Sequence, residues 1–338
     1  MEIGVAMPTH GLLTRDEANF YLQRVEPEEM RVVEYAQRAE QLGYHSVWFS
    51  DHVVMGGDLD VDYPANLSGK KAYPLRPNML DAAVVMGALA ATTSRIRFAP
   101  SVHIAPYRHP LSSAHQFATV DVLSNGRLIM GVGCGWEPDE FRALAADFEH
   151  RGALTEECIQ IYKLAWSEPW VEFHGRFFDI SNISLDPKPV QKPHPPLVFG
   201  ATTRAGARRA ARTSDALYTV HLEPYIEIGV WDELRDVVRE EAERIDRDVG
   251  HFRMMTFAST LPTDASDELA RREPRPTLTG TAEQILSDLE RFADHGYSHV
   301  TLHFHVRSGT VAELFELLDR FAREILPSAQ EIEVRAFA

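Results

Sequence analysis

Cysteine is nearly absent: Cys134 and Cys158 are the only two in 338 residues. They could pair with each other, but two thiols in a chain this long are not a disulfide framework. Long apolar runs are missing as well. No stretch approaches the ~20 apolar residues needed to span a bilayer. The opening MEIGVAMPTH has an acid at position 2 and an apolar run too short for a signal peptide. Positive charge is scarce, with 34 Lys+Arg against 50 Asp+Glu and a formal net charge of −16. Nucleic acid and anionic membranes need a basic face, so neither is an expected partner. The expectation is a cytoplasmic protein acting on a small molecule. Low-complexity tracts are absent too.

What is there is alternation. Hydrophobic residues make up 44% of the chain, and they fall in short runs separated by amphipathic stretches. IGVAMP (3–8), SVWFSDH (46–52), IRFAPSV (96–102), RLIMGVG (127–133), PLVFGA (196–201), ALYTV (216–220), FRMMTFAST (252–260) and HVTLHFH (299–305) read as strands. Each is followed by a helical pattern: 27–43, 78–93, 110–124, up to 166, 203–213, about 225–246, 281–295 and 311–326. The first helix has Pro27 and two acids in its first turn and Gly43 at its end. Strands separated by helices pair in parallel through right-handed crossovers. Eight such units predict an α/β fold, a closed (β/α)8 TIM barrel with insertions after strands 2, 4 and 7. The expected domain is a single barrel over 1–328, with 329–338 as a tail.

In such barrels chemistry sits at the C-terminal ends of the strands. VWFSDH delivers Asp51 and His52 there, and the irregular 53–77 stretch becomes a roof over them. An imidazole at the rim can give or take a proton beside a bound substrate; the plain alternative is a loop histidine that only packs. GVGCGW (131–136) is a glycine-rich turn after strand 4. It fails as a dinucleotide fingerprint, because Trp136 stands where the third glycine belongs. FGATTRAGARRAA (199–211) brings small and hydroxyl residues into a helix start, suited to an anion or equally to an ordinary N-cap by Thr202 or Thr203. Pro100 at the end of a strand in a closed sheet implies a bulge. His303 and His305 share one face of strand 8, but spacing assembles no third ligand, so no metal is expected.

The stretches LGYHSVWFSDHVV, TSRIRFAPSVHIAPYRHPLSSAHQFATVDVLSNGRLIMGVGCGWEPDEF, LDPKPVQKPHPPLVFGA and RRAARTSDALY resemble the luciferase-like superfamily of flavin and deazaflavin oxidoreductases. Within it they are most similar to the actinobacterial coenzyme F420-dependent class. The resemblance covers residues from about 3 to 325 and implies the barrel independently. It implies a catalytic pair, Asp51 and His52, with His52 handling the substrate proton. It implies a non-proline cis peptide at Ser101–Val102, followed by His103, backing the ring of the cofactor. Gly133, Gly135, Trp136 and Asp139 would line the ring and its side chain, and Gly200, Ala201, Thr202 and Arg204 the phosphate junction. The implied reaction is hydride transfer between F420 and a small organic substrate. The alternative is an FMN-dependent two-component monooxygenase that uses reduced flavin, O2 and a partner flavin reductase. A homodimer packed through barrel helices is implied as well. In the sugar-phosphate-oxidising branch an acid stands at the position of Trp136 and dedicated lysines hold the phosphate. Neither is found here, which argues against glucose-6-phosphate as substrate.

Overall fold

The structure, a computed structural model, describes residues 1–15, 20–58, 60–63, 66 and 69–337. Eight strands form the barrel: β1 (Glu2–Ala6), β2 (Ser46–Phe49), β3 (Arg97–Pro100, resuming at His103–Ile104), β4 (Met130–Gly133), β5 (Leu197–Gly200), β6 (Ala216–His221), β7 (Arg253–Pro262) and β8 (Tyr297–Phe304). The strand residues are almost all buried. That is the pattern of parallel strands covered on both faces, and it is why they are readable as unbroken apolar runs.

The principal helices are α1 (Val32–Leu42), α2 (Ala82–Thr92), α3 (Pro110–Leu123), α4 (Arg151–Ser167), α5 (Arg204–Thr213), α6 (Asp232–Arg244), α7 (Ala282–Asp294) and α8 (Val311–Glu324). The order of pairing is β3–β2–β1–β8–β7–β6–β5–β4 and back to the second half of β3, all parallel. Strand 3 closes the barrel in two pieces. Its first half pairs with β2 (Val47 opposite Phe98), and its second half pairs with β4 (His103 opposite Val132). Between them the Ser101–Val102 peptide is cis, at the position the resemblance implied.

Several local expectations are corrected. The first helix does not begin at Pro27: one 3-10 turn over Pro27–Glu29 ends at Arg31 (φ 47°), and α1 starts at Val32. The interruption lets Met30 drop into the core. Gly43 (φ 89°) does end α1. A hairpin of Leu12–Arg15 and Phe20–Gln23 follows β1, an insertion the sequence reading passed over. The 167–195 segment carries a second hairpin, Val171–His174 with Asp179–Ile183, but it follows α4 and so lies on the return path to β5. The tail packs on the barrel through residue 337. A short helix runs over Leu326–Glu331, the N-terminal amine donates to Ile332 O at 2.8 Å, and Phe337 is buried against Phe252. Cys134 and Cys158 are both unpaired thiols. Among the described residues no helix is long and apolar enough to cross a membrane.

The lumen is filled by Trp48, Ala99, Ile129, Val198, Ala216, Tyr218 and Met255. A ladder of rings climbs through it. Trp48 stacks on Tyr218 (centroids 4.9 Å), Tyr218 lies parallel to Phe257 (6.4 Å), and Phe257 stacks on His303 (5.3 Å). The ladder ends at the cavity.

Candidate active site

A cavity of about 430 Å³ opens at the C-terminal ends of the strands. That size lies within the range of small-molecule sites. Of the residues proposed from sequence, Asp51, His52, Ser101, Val102, Gly133, Gly135, Trp136, Gly200, Ala201 and Thr202 line it. His103, Asp139 and Arg204 do not.

The Asp51–His52 pair divides into two jobs. Asp51 accepts both arms of the Arg108 guanidinium (2.8 and 2.8 Å), the His103 ring (2.7 Å) and the Ile104 N–H (3.3 Å). Burial pushes its pKa up, but the bonds to His103 and Arg108 outweigh this and hold it well below the usual carboxylate value. Asp51 therefore pins the second half of strand 3 in place. His103 sits behind the wall, between Asp51 and the Tyr162 hydroxyl (3.4 Å), and this explains its absence from the cavity.

His52 faces another way. Its Nδ1 lies 2.6 Å from Glu140 Oε2, and Glu140 is fully buried. The same carboxylate accepts the Tyr107 hydroxyl (2.8 Å) and the Val53 and Val54 N–H groups (2.6 and 3.2 Å). Burial and the adjacent Glu140 raise the Tyr107 pKa, so it stays a donor. With Glu140 accepting from Nδ1–H, Nε2 is the nitrogen left for exchange with the cavity. The sequence pattern does not single out Glu140. It is one acid among several in EPDEF, and only the fold brings it to residue 52.

The wall around Val102 gives two of the glycines a packing role. A Cβ on Gly133 would stand 2.3 Å from Val102 Cγ2, and one on Gly200 would stand 2.9 Å from Val102 Cγ1. The bulge side chain occupies the space those glycines free. Glycine is required here so that strand 3 can bring Val102 to the cavity.

At one end of the cavity, Arg151 and Arg209 line the space beside Thr202, Thr203 and Gly206 at the start of α5. Thr203 Oγ1 caps the Gly206 N–H at 3.1 Å. Arg209 pairs with Glu156 (3.0 Å) and packs over Gly152, whose Cβ would meet its Nη2 at 2.3 Å. Two guanidiniums at a helix N-terminus suit an anionic group. Arg204 instead turns outward to Glu233 (3.3 Å), because the buried stripe of α5 is Gly206, Ala207, Ala210 and Ala211. Asp139 pairs with Arg142 (2.5 Å) and packs against Gly56 of the roof.

The other end is aromatic. Trp136 packs on Tyr63 (4.7 Å), Tyr73 (6.0 Å) and His52 (5.9 Å). Phe20 and Leu22 of the first hairpin and Leu222 complete it. The 53–77 roof is present as expected, although residues 59, 64, 65, 67 and 68 fall outside the described residues. It is tied down by Lys71, whose ammonium donates to Gly56 O, Asp58 O and Glu137 Oε2 (3.0, 2.9 and 2.5 Å). The cavity thus offers a slot against Val102, an anion end, an aromatic end and one imidazole held for proton exchange. The residues present fit a flat redox cofactor with a phosphate-bearing side chain.

Comparison with known proteins points the same way. A family profile described as luciferase-like monooxygenase matches residues 1–334. An uncharacterised protein of Mycobacterium bovis is 33% identical over 177 residues, covering 52% of this chain and 61% of its own length. The chain therefore spans about six-tenths of that relative. An F420-dependent glucose-6-phosphate dehydrogenase of Amycolatopsis mediterranei is 30% identical over 284 residues, covering 78% of this chain and 76% of its own. Among solved structures, the oxygenating constituent of 3,6-diketocamphane monooxygenase of Pseudomonas putida, in complex with FMN, superposes with a TM-score of 0.72 at 15% identity, covering 99% of this chain and all of that one.

Proposed function

Because the chain belongs to the luciferase-like monooxygenase family, whose members named above use F420 or FMN, we propose that it is an F420-dependent oxidoreductase acting on a small organic substrate. The observation that carries this reading is the buried His52–Glu140 contact at 2.6 Å. It supplies the proton partner that a hydride transfer to or from a carbon–oxygen or carbon–carbon double bond requires. When bound, reduced F420 supplies the hydride. Val102 would back its ring, and Arg151, Arg209 and the N-terminus of α5 would hold its phosphate. Glu140 holds the His52 ring in one orientation, so Nε2 delivers a proton to the substrate in reduction and removes one in oxidation. Trp136, Tyr63 and Tyr73 keep bulk water out. We place the enzyme in the cytoplasm, as a homodimer packed on the outer faces of α2 and α3, where Val84 and Leu123 stand exposed.

The test is a pair of titrations of the purified chain, with F420 and with FMN, followed by absorbance under air. The expected result is stoichiometric F420 binding, and turnover without oxygen uptake. Binding of FMN alone, with oxygen consumed, would replace this reading by the two-component monooxygenase and its partner reductase. The His52→Ala variant should keep its affinity for F420 and lose about 10²–10⁴ in kcat.

A further inference from the structure

We propose that the aromatic end of the cavity takes a neutral, mainly apolar organic molecule carrying one carbonyl or hydroxyl oxygen, and that the imidazole of His303 binds that oxygen. This deepens the reading above, on which it rests for placing a reaction here.

The argument starts from charge. The charged side chains that line the cavity are Asp51, Glu149, Arg151 and Arg209, besides its histidines. Asp51 is consumed by Arg108 and His103. The two arginines sit with Gly152, Thr203 and Gly206 at the far end. Under the roof, Lys71 and Glu137 neutralise each other, each almost wholly buried. The aromatic end, built from Phe20, Leu22, Tyr63, Tyr73, Trp136 and Leu222, thus has no uncommitted charge among the described residues. A carboxylate or phosphate placed there would lose its hydration with no cation to replace it. A neutral molecule meets no such penalty and gains from burial against the rings.

Of the other polar groups at this end, the Tyr63 and Tyr73 hydroxyls bond to each other and Tyr73 bonds to Ser50, which leaves the Trp136 indole N–H and the histidines. His10 has its nitrogens within 3.3 Å of Thr9 Oγ1 and 3.4 Å of Ser50 Oγ, so both are engaged. Burial, with some help from neighbouring His52, lowers its pKa to about 3. His52 is engaged by Glu140. His303 differs. Among the described residues its side chain makes ring contacts, face-on to Phe257 at 5.3 Å and edge-on to His10 at 6.1 Å. Its Nδ1 is buried with no hydrogen-bond partner. Burial, and His10 beside it, keep this ring neutral at physiological pH. A neutral imidazole has one N–H and one lone pair. An orphaned buried N–H is rarer than an under-used acceptor, so the bare lone pair belongs on Nδ1 and the proton on Nε2. His303 therefore brings a neutral donor to a cavity whose aromatic wall lies two ring contacts away, through His10 (6.1 Å) to Tyr73 (5.9 Å). A neutral donor on the floor of an aromatic chamber matches an oxygen acceptor on an apolar body.

The test is calorimetric titration of the chain without cofactor, using cyclohexanone, cyclohexanecarboxylate and methylcyclohexane. Wild type should bind the ketone at least about tenfold more tightly than the carboxylate. His303→Phe keeps a flat ring on Phe257 but has no nitrogen. It should weaken cyclohexanone about tenfold and leave methylcyclohexane unchanged, as expected for one lost hydrogen bond. His303→Gln should recover part of the loss. Equal binding of ketone and carboxylate by wild type would overturn the proposal. So would a His303→Phe variant with unaltered ketone affinity, or one that loses ketone and hydrocarbon together, as a merely packed ring would. Because these titrations contain no cofactor, failure of both F420 and FMN to bind would end the cofactor reading while leaving this result standing.

Discussion

Val102 shows how one side chain dictates its neighbours. It enters between β4 and β5 only because residues 133 and 200 lack a Cβ. A methyl at 133 has no place to go, so Gly133→Ala should cost about 1–3 kcal/mol, the usual range for forcing extra volume into a packed wall. Thermal unfolding would measure this. Adding Val102→Ala should return more than half of the loss, since the clashing Cγ2 is then gone; purely additive effects would mean that the strain lies elsewhere. At this scale the sequence was only partly legible. It pointed to residues 101–102, 133 and 200, but not to the Val102 side chain for which residues 133 and 200 make room. It placed Asp51 and His52 together at the end of strand 2 but not their partners, since the two side chains leave the strand end in different directions. Arg204 was attractive as the first residue of a helix, but the inward arginine is Arg209, and that is decided by which stripe of α5 is buried.

Strands and helices were far easier to read than their insertions. Parallel strands buried on both faces produce apolar runs that no loop imitates, so all eight were visible in the sequence. The hairpin after β1 has only four residues per strand and sits in a polar stretch, too short for its alternation to stand out. The roof also shows no periodicity, because a buried ion pair rather than packing of a regular face holds it down. Lys71 is the peg. Its removal would strand Glu137, fully buried, without a counter-charge, and a lost partner in such a pair typically costs about 3–5 kcal/mol. Lys71→Met should therefore lower stability by that order and speed proteolytic nicking within 53–77. The double variant Lys71→Met with Glu137→Leu should regain most of the stability, because no buried charge is left, while the roof stays easy to nick. If single and double variants unfold alike, the ion pair contributes no such strain.

Taken whole, the molecule buries an unusual set of neutral imidazoles. Burial lowers the pKa of His10 and His45 to about 3 and that of His221 to about 4. In the unfolded chain these rings take a proton near pH 6.5. The folded chain refuses it, so the unfolded state binds more protons and stability falls as the pH drops below about 6.5. Each ring contributes at most about 1.4 kcal/mol per pH unit. Thermal midpoints should therefore decline between pH 6.5 and 5, above the range where carboxylates of an unfolded chain titrate. A flat midpoint over that interval would contradict the burial of these rings. Fifteen histidines were countable from composition, but neutrality is a property of the packed barrel and could not be read from the count. The ladder from Trp48 through Tyr218 and Phe257 to His303 has a practical consequence. An indole deep in the lumen is coupled by stacked rings to the chamber floor, so its emission colour and lifetime serve as a built-in optical gauge of whatever settles on that floor, with no dye attached.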